Sequence, residues 1–474
     1  MSKKIILLLH ILLIASLIFK TAQAQIPVLW GMTSRGVDSA PYSGSIFCVN
    51  GDGSGFADKV GFSDTDGLFP FGNLSITKTG TFYGMTTSGG SHRGGGVIFK
   101  FDSASNVCTA LYDFDTINGR NPNGNLLMAG NSIFYGLTYS GGVYNNGVIF
   151  SFDTTTATYT KLFDFNDTLG SLPNGSLIQA ANGKLYGLTQ TGGKYGAGIV
   201  FSFNITTDSV SDIHDFDGRD GGFPNGNLLQ AYDGKLYGLT TEGGANGDGV
   251  IFSIDTIGNY DTLFSFANSG GINPYGSLIQ TADSLFYGLT SAGGINDSGT
   301  IFNFNATTLA YNDVHDMDGI NGKTPLGSLL LATDNKLYGT TCYGGTGKYG
   351  TVFGFDPSNN YFFKLVDFNY GNGANPHGDL VELSQINGIS TSVNSLAAHT
   401  TQLSVYPNPS SGAITISSTH TIDAIKITNV PGQVIYSATP NGQQVYIQLN
   451  DAGMYFITIT SGNTVTTGKV VVSR

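Results

Sequence analysis

Aspartate and asparagine recur two residues apart along this chain, at Asp113/Asp115, Asp164/Asn166, Asp215/Asp217, Asp316/Asp318 and Asp367/Asn369. Oxygen ligands at this spacing suit Ca²⁺. The richest copy is Asp215-Phe216-Asp217-Gly218-Arg219-Asp220, which makes Asp215, Asp217 and Asp220 the candidate metal ligands. It does not complete an EF-hand loop, because the twelfth position counted from Asp215 is Gly226, where that loop has Glu. The same side chains also suit a second role, accepting hydrogen bonds from turn backbone, which is the commoner use of Asp and Asn. Two further copies of the segment carry Gly61/Ser63 and Ser265/Ala267 instead.

Other chemistry has less to stand on. His214 and His315 fall at equivalent positions where other copies have Tyr112, Phe163, Phe264 and Val366, the pattern of a packing residue rather than a base. Paired carboxylates serve glycoside hydrolysis, yet here the pairs repeat along the chain, whereas an active site breaks such repetition. No Gly-x-Ser-x-Gly elbow sits between a strand and a helix, and no glycine-rich run opens a helix to cradle phosphate. No catalytic residue is assigned. Three cysteines, Cys48, Cys108 and Cys342, make neither a disulfide framework nor a metal spacing. Cys48 and Cys108 read as small core residues, and Cys342, beside a Gly-Gly pair, as the accessible thiol. Tyr144, Tyr195 and Tyr349 stand in variable loops and are the candidate ligand-binding aromatics, suited to a sugar or a protein. Scattered exposed tyrosines are equally compatible with no ligand.

These residues are carried by a repeat. A Tyr-Gly element recurs at Tyr83, Tyr135, Tyr186, Tyr237, Tyr287 and Tyr338, with Trp30-Gly31 as a seventh copy, and its glycines lie 53, 52, 51, 51, 50 and 51 residues apart. Gly-Gly follows six residues after each Tyr; the Trp30 copy reads Gly36-Val37 instead. Gly147-Val148-Ile149-Phe150 typifies a second element, and Pro-x-Gly-x-Leu is a third; both occur in all seven copies. Each period divides into four short runs, for example Asn227–Gln230, Lys235–Thr240, Val250–Ile254 and Tyr260–Phe266, rich in β-branched, aromatic and leucine residues. Turn residues separate them, and no run has helical spacing. Four antiparallel strands per period of about 50 residues is propeller arithmetic.

The ends of the array point to a closed circle. The first copy begins at its second strand, Val28 to Thr33, and the last copy finishes with an extra one, Gly378 to Leu383. Pairing these two segments removes the open edge of an unfinished array. An antiparallel meander then puts the long loops, such as Asp215–Asn225 and Glu242–Gly249, on one face, which is the natural binding surface.

Composition sets the class. The chain has 474 residues, 68 of them glycine, with 11% charged and 12% aromatic residues. That is about twice ordinary glycine usage and half ordinary charge, in a chain too apolar to be disordered. Lys3 and Lys4, the apolar run Ile5 to Phe19 and the Ala22-Gln23-Ala24 site read as a signal peptide, 1–24. Its removal takes three lysines and moves the formal charge from -12 to -15. An acidic chain without a basic block argues against nucleic acid and anionic membranes, and no later segment is long and apolar enough to span a bilayer.

The order Leu-Tyr-Gly-Leu-Thr-x-x-Gly-Gly, Gly-Val-Ile-Phe-Ser-Phe, Asp-Phe-Asp and Pro-Asn-Gly-x-Leu resembles the GloVer tandem repeat over roughly residues 28–383, and more weakly the kelch blade. The GloVer resemblance implies architecture and a secreted location rather than a reaction. The tail, residues 403–474, resembles the type A sorting domain of the type IX secretion system. Val405-Tyr406-Pro407-Asn408-Pro409, Gly432-Gln433-Val434-Ile435-Tyr436, Ala452-Gly453-Met454-Tyr455-Phe456 and Lys469-Val470-Val471-Val472 carry the match. This resemblance implies recognition by the type IX machinery at the outer membrane of a Gram-negative Bacteroidota-type bacterium, then release or tethering at the cell surface. An ordinary Ig-like binding module is the other reading of the tail.

The expectation is an all-β chain: signal peptide 1–24, a seven-bladed β-propeller of four-stranded blades over 25–383, a linker over 384–402 rich in Ser, Thr and Asn, and a small Ig-like β-sandwich over 403–474. The expected function is a secreted or cell-surface scaffold that binds a glycan or protein through its long-loop face. The alternative is a secreted polysaccharide-active enzyme with its site in the central channel. No cofactor is required, with Ca²⁺ as the one candidate ion.

Overall fold

The computed structural model describes residues 26–36, 43–77, 80–91, 94–129, 133–282, 284–383, 403–406, 412–429, 434–440, 442–451, 453–461 and 464–472. The expected signal peptide and the expected linker lie outside these residues. The chain divides into two compact units, Met1–Ser395 and Leu396–Arg474.

Among the described residues, the first unit holds seven four-stranded antiparallel sheets. The fifth is typical, with a two-residue inner strand Leu229–Gln230, then Leu236–Thr240, Val250–Ile254 and an outer strand Tyr260–Ser265. The two middle strands are buried throughout in the pattern expected of strands covered on both faces. The second sheet spans Ser75–Asp113, the third Leu127–Asp164, the fourth Ile178–Asp215, the sixth Ile279–Asp316 and the seventh Leu330–Asp367. The first sheet is assembled from both ends of the array. Val381–Glu382 pairs with Val28–Thr33 through Leu29↔Glu382 and Trp30↔Val381, and the sheet continues with Ser45–Asn50 and Ala57–Gly61.

Each apolar core belongs to two sheets. Trp30, Ile46 and Phe62 of the first pack with Phe82, Val97 and Phe99 of the second. The seventh and first meet in the same way, Tyr338, Val352 and Phe368 against Leu29, Phe47 and Val49. The other five neighbouring pairs each share one such cluster. A single copy therefore leaves both of its faces exposed, and only its neighbours remove that surface from water. Stacked rings join the outer strands across these interfaces: Tyr112 on Tyr159, His214 on Tyr260, Phe264 on Tyr311 and His315 on Phe362, with centroids 3.9–4.2 Å apart. The two histidines thus take the place of aromatic packing residues.

The glycine after each repeated Tyr (Trp in the first copy) is a close approach. A Cβ at Gly238 would lie 2.4 Å from Cζ of Phe252, its partner on the neighbouring strand, and the other six copies repeat this at 2.4–2.6 Å. The bulge lies elsewhere, between the third and fourth strands of every sheet, as between Ile251 and Phe252. It sets one residue of the outer strand, such as Leu263, out of register, where it packs against the shared core.

The second unit contains a three-stranded sheet, Leu403–Tyr406, Ala413–Ile422 and Gly442–Gln448, and a four-stranded one, Val434–Ala438, Ala424–Asn429, Gly453–Ser461 and Thr464–Val472. Ile414, Ile416 and Val445 of one share a core with Ile425, Ile457 and Val470 of the other.

Candidate functional site

The seven Pro-x-Gly turns lead into the inner strands and meet one another. A Cβ at Gly72 would lie 2.2 Å from the carbonyl oxygen of Gly124, and the same relation runs from Gly124 to Gly175, Gly226, Gly276, Gly327, Gly378 and back to Gly72, at 2.1–2.8 Å. Only glycine permits this spacing. The residue after each glycine completes a second cycle, in which its backbone N–H donates to the next sheet's side chain. Asn73 donates to Asn125 (2.6 Å), Asn125 to Ser176 (2.7 Å), Ser176 to Asn227, Asn227 to Ser277 (2.7 Å), Ser277 to Ser328 (2.9 Å), Ser328 to Asp379, and Asp379 to Asn73 (2.5 Å). Seven donors and seven acceptors close on themselves, so none of these N–H groups is left unpaired.

A cavity of about 270 Å³ lies on one side of this cycle, lined by the Pro-x-Gly residues of all seven sheets. A smaller one of about 90 Å³ lies on the other, where the same polar residues are joined by Leu74, Leu126, Leu177, Leu329 and Leu380. The hydrogen-bonded cycle is thus the waist between the two cavities. The rim of the larger cavity is the x residue of each Pro-x-Gly, and there the repetition breaks. Three consecutive sheets carry Asn123, Asn174 and Asn225, while the other four carry Tyr275, Leu326, His377 and Phe71.

The amides form a chain. Asn123 Nδ2 donates to Asn174 Oδ1 (2.8 Å), and Asn174 Nδ2 donates to Asn225 Oδ1 (2.9 Å) and to the Tyr275 hydroxyl (3.1 Å). Gln190 Nε2 also donates to Asn225 Oδ1, and Asn225 Nδ2 to Thr241 Oγ1. Burial raises the Tyr275 phenol above its ordinary range, so the hydroxyl keeps its proton. Across the rim, the Phe71 ring lies 4.5 Å from His377, whose Nε2 sits 3.4 Å from Cys342 Sγ. Burial, with help from the charge of Arg35, lowers His377 to about 4, and burial pushes Cys342 up to about 12. Both are neutral at physiological pH, so this is no thiolate–imidazolium nucleophile. Cys342 is wholly buried, which corrects its reading as the accessible thiol: its Sγ lies against His377 and its carbonyl accepts from Asn375 Nδ2.

The candidate ligands read from sequence lie outside this mouth. Tyr144, Tyr195 and Tyr349 stand exposed on loops of the third, fourth and seventh sheets. The described ring contacts join no two of them; Tyr349 packs 5.2 Å from Tyr370, and Lys194 Nζ lies 4.9 Å over Tyr195. Asp217 and Asp220 do share one turn. Asp217 Oδ1 accepts from the N–H groups of Arg219 (2.8 Å) and Asp220 (3.2 Å), which hold its carboxyl below the ordinary range. Asp220 accepts from Asp217 N–H (2.9 Å) and pairs with His214 Nε2 (2.8 Å). Asp215 faces the preceding Gly-Gly loop and accepts from Lys194 N–H (2.5 Å). That bond repeats: Asp113 accepts from Ser91, Asp164 from Val143, Asp316 from Ile295 and Asp367 from Thr346. Each anchors a Gly-Gly whose φ is positive, as at Gly192 (φ 80) and Gly193 (φ 75). Among the described residues, no three His, Cys, Asp or Glu side chains cluster to hold a metal ion.

Sequence reasoning passed over the mouth residues, although the signal was visible as the one variable position inside Pro-x-Gly. The repeats themselves identify the class. The Gloeobacter/Verrucomicrobia repeat pattern matches residues 18–201 and 173–400, and the chain belongs to that family. Residues 404–473 match the secretion system C-terminal sorting domain, the type IX tail that marks a chain for export to the cell surface or extracellular space. No curated protein matches the sequence. Among solved structures, a candidate 6-phosphogluconolactonase from Bacteroides fragilis NCTC 9343 is similar at 14% identity and a TM-score of 0.51, over 77% of this chain and 100% of that one. One from Bacteroides uniformis ATCC 8492 is similar at 12% identity and 0.51, over 76% and 100%. TolB from Acinetobacter baumannii aligns at 11% identity and 0.39, over 60% of this chain and 62% of that one. At such identities the first two likenesses speak of fold alone. Among the described residues no helix is long and apolar enough to cross a membrane.

Proposed function

We propose that the seven sheets are the blades of a closed seven-bladed β-propeller followed by an Ig-like sorting sandwich. On this reading the chain is a binding scaffold at or beyond the outer cell surface of a Bacteroidota-type bacterium. The type IX machinery takes it up through 403–474, and the long-loop face engages a glycan or protein. One observation carries the binding reading. The Pro-x-Gly turns do the same structural work in all seven sheets, yet their x residues divide into an amide arc and an aromatic and apolar arc. A purely structural ring has no use for that difference.

Catalysis is the weaker reading. Glycoside hydrolysis uses two carboxyl groups, and the mouth lining holds one, Asp379, which accepts hydrogen bonds from Ser328 N–H and from Asn73 Nδ2. Among the described residues the lining also contains no Lys or Arg, which argues against a phosphorylated sugar. Tyr144, Tyr195 and Tyr349 remain proposed outer contacts, and the Asp215–Asp220 loop a proposed Ca²⁺ contact. The test is binding of the mature chain on glycan and protein arrays, with Ile295→Glu on the long-loop face compared with Ile257→Glu on the opposite one; both side chains are highly exposed. The reading expects only Ile295→Glu to weaken capture. Release of new reducing ends from a bound polysaccharide would restore the enzyme.

A further inference from the structure

We infer that the central mouth is an end-on well for one terminal, neutral sugar unit; this rests on the proposal that the long-loop face binds ligands and names where and what. Three features of the well select the ligand. The first is charge. Its rim offers amides, a phenol and a neutral imidazole, and its single carboxylate among the described residues, Asp379, is engaged in the cycle. Among the described residues that line it none is a cation, and nearby Arg35 stands over the Phe69 ring; burying an unpaired charge is costly.

The second is polarity across the rim. Asn123, Asn174 and Tyr275 lie on one arc, with Phe71, Leu326 and His377 on the other. The amide chain is already oriented by Thr87, Gln190 and Thr241, so its remaining hydrogen-bonding capacity is fixed in direction before a ligand arrives. A pyranose has the matching asymmetry: hydroxyls at its edge and a C–H face that packs on aromatic rings.

The third is depth. At about 270 Å³ the cavity falls below the roughly 300–1,000 Å³ of drug-sized sites, room for one ring rather than several. The hydrogen-bond cycle narrows it to a waist, and the space beneath is only about 90 Å³ and leucine-lined. The space beneath is a third of the cavity above and does not take a second ring, so the well disfavours an internal unit with neighbours on both sides. It admits a chain end.

The experiment is calorimetry of the full mature chain against neutral linear hexasaccharides (malto-, cello-, laminari- and manno-), a cyclic glucan that has no ends, and an anionic alginate hexamer. The expected result is binding to at least one neutral linear hexamer and none to the cyclic or anionic probes. Tyr275→Phe and Phe71→Ala should each weaken it about tenfold, while Ile257→Glu on the opposite face changes it less than about twofold. Tyr275→Phe keeps the ring and removes only the hydroxyl, and circular dichroism confirms that each variant is folded. Binding of the cyclic or anionic probe, or of no neutral hexamer, overturns the well. Binding lost with Tyr144→Ala or Tyr195→Ala but unmoved by Tyr275→Phe and Phe71→Ala overturns it too, yet leaves the long-loop face standing. Binding weakened only by Ile257→Glu on the opposite face overturns both.

Discussion

Gly226→Ala tests whether the seven sheets act as one ring. The added methyl would lie 2.1 Å from the carbonyl oxygen of Gly276, more than 1 Å inside ordinary contact. The obstacle is backbone, so no rotamer change relieves it, and the fifth and sixth sheets must part. Overpacking of this kind costs about 1–3 kcal/mol. The same movement stretches the Asn227-to-Ser277 and Ser176-to-Asn227 hydrogen bonds, each worth about 1 kcal/mol net. The expected loss is therefore about 3–5 kcal/mol. Gly222→Ala is the control, since its methyl meets no atom closer than 3.4 Å, and it should stay within about 1 kcal/mol of wild type. The assay is denaturant unfolding followed by Trp30, the only tryptophan, which packs 4.8 Å from Phe82 at the interface of the first and second sheets. Trp30 lies across the array from Gly226. In a closed cooperative ring its transition moves to lower denaturant together with the circular dichroism. A Trp30 transition that stays in place while the dichroism shifts would refute closure. A loss under about 1 kcal/mol would refute the steric reading of the glycine cycle.

Other outcomes follow from the same geometry. Gly238→Ala drives a methyl against the Phe252 ring rather than backbone, so Phe252→Leu should rescue part of the loss; a double-mutant cycle should give coupling of at least about 1 kcal/mol. Asp212 and Asp313 are raised to about 6 by burial and by the charges of Asp215 and Asp316. Their folded values exceed the unfolded value of about 3.9, so the folded state holds extra protons and stability falls as pH rises from about 4 through 6. Sister repeats place Lys161 3.0 Å from Asp164 and Lys364 2.8 Å from Asp367 at these positions. Asp212→Lys with Asp313→Lys should flatten that fall and add about 0.2–1 kcal/mol per pair at neutral pH, read from melting temperature against pH. Ca²⁺ at the Asp215–Asp220 loop competes with the turn N–H groups on Asp217 and Asp220, so about 1 mM Ca²⁺ should raise the melting temperature only slightly and Asp217→Asn should abolish the rise; no rise at all would remove the ion site.

The repeat period, the four runs per copy and the strand shift at the ends were legible because each is a pattern of residue types along the chain. Val28–Thr33 and Val381–Glu382 pair as their positions foretold. The outer-strand bulge beside Phe252 was not legible, since inserting one residue opposite Ile251/Phe252 leaves no composition mark. The metal reading of Asp215, Asp217 and Asp220 met a general difficulty: the same oxygens that suit Ca²⁺ also suit backbone N–H groups, and only geometry shows the bonds to Lys194, Arg219 and Asp217. Cys342 was misplaced because a position beside Gly-Gly reads as a loop tip, whereas its thiol is buried against His377. Asn123, Asn174, Asn225 and Tyr275 come together only when the turns meet at one point, a proximity that residues 51 to 101 positions apart do not display.

A disulfide between the two ends of the array tests closure most directly. Leu29 and Glu382 face each other across an antiparallel pair, at a separation of about 4.5–5.5 Å that a disulfide spans. Leu29→Cys with Glu382→Cys should oxidise within one chain, giving a linked peptide pair by mass spectrometry that reductant separates. Cross-linking only between chains, or none in the folded protein, would contradict the ring.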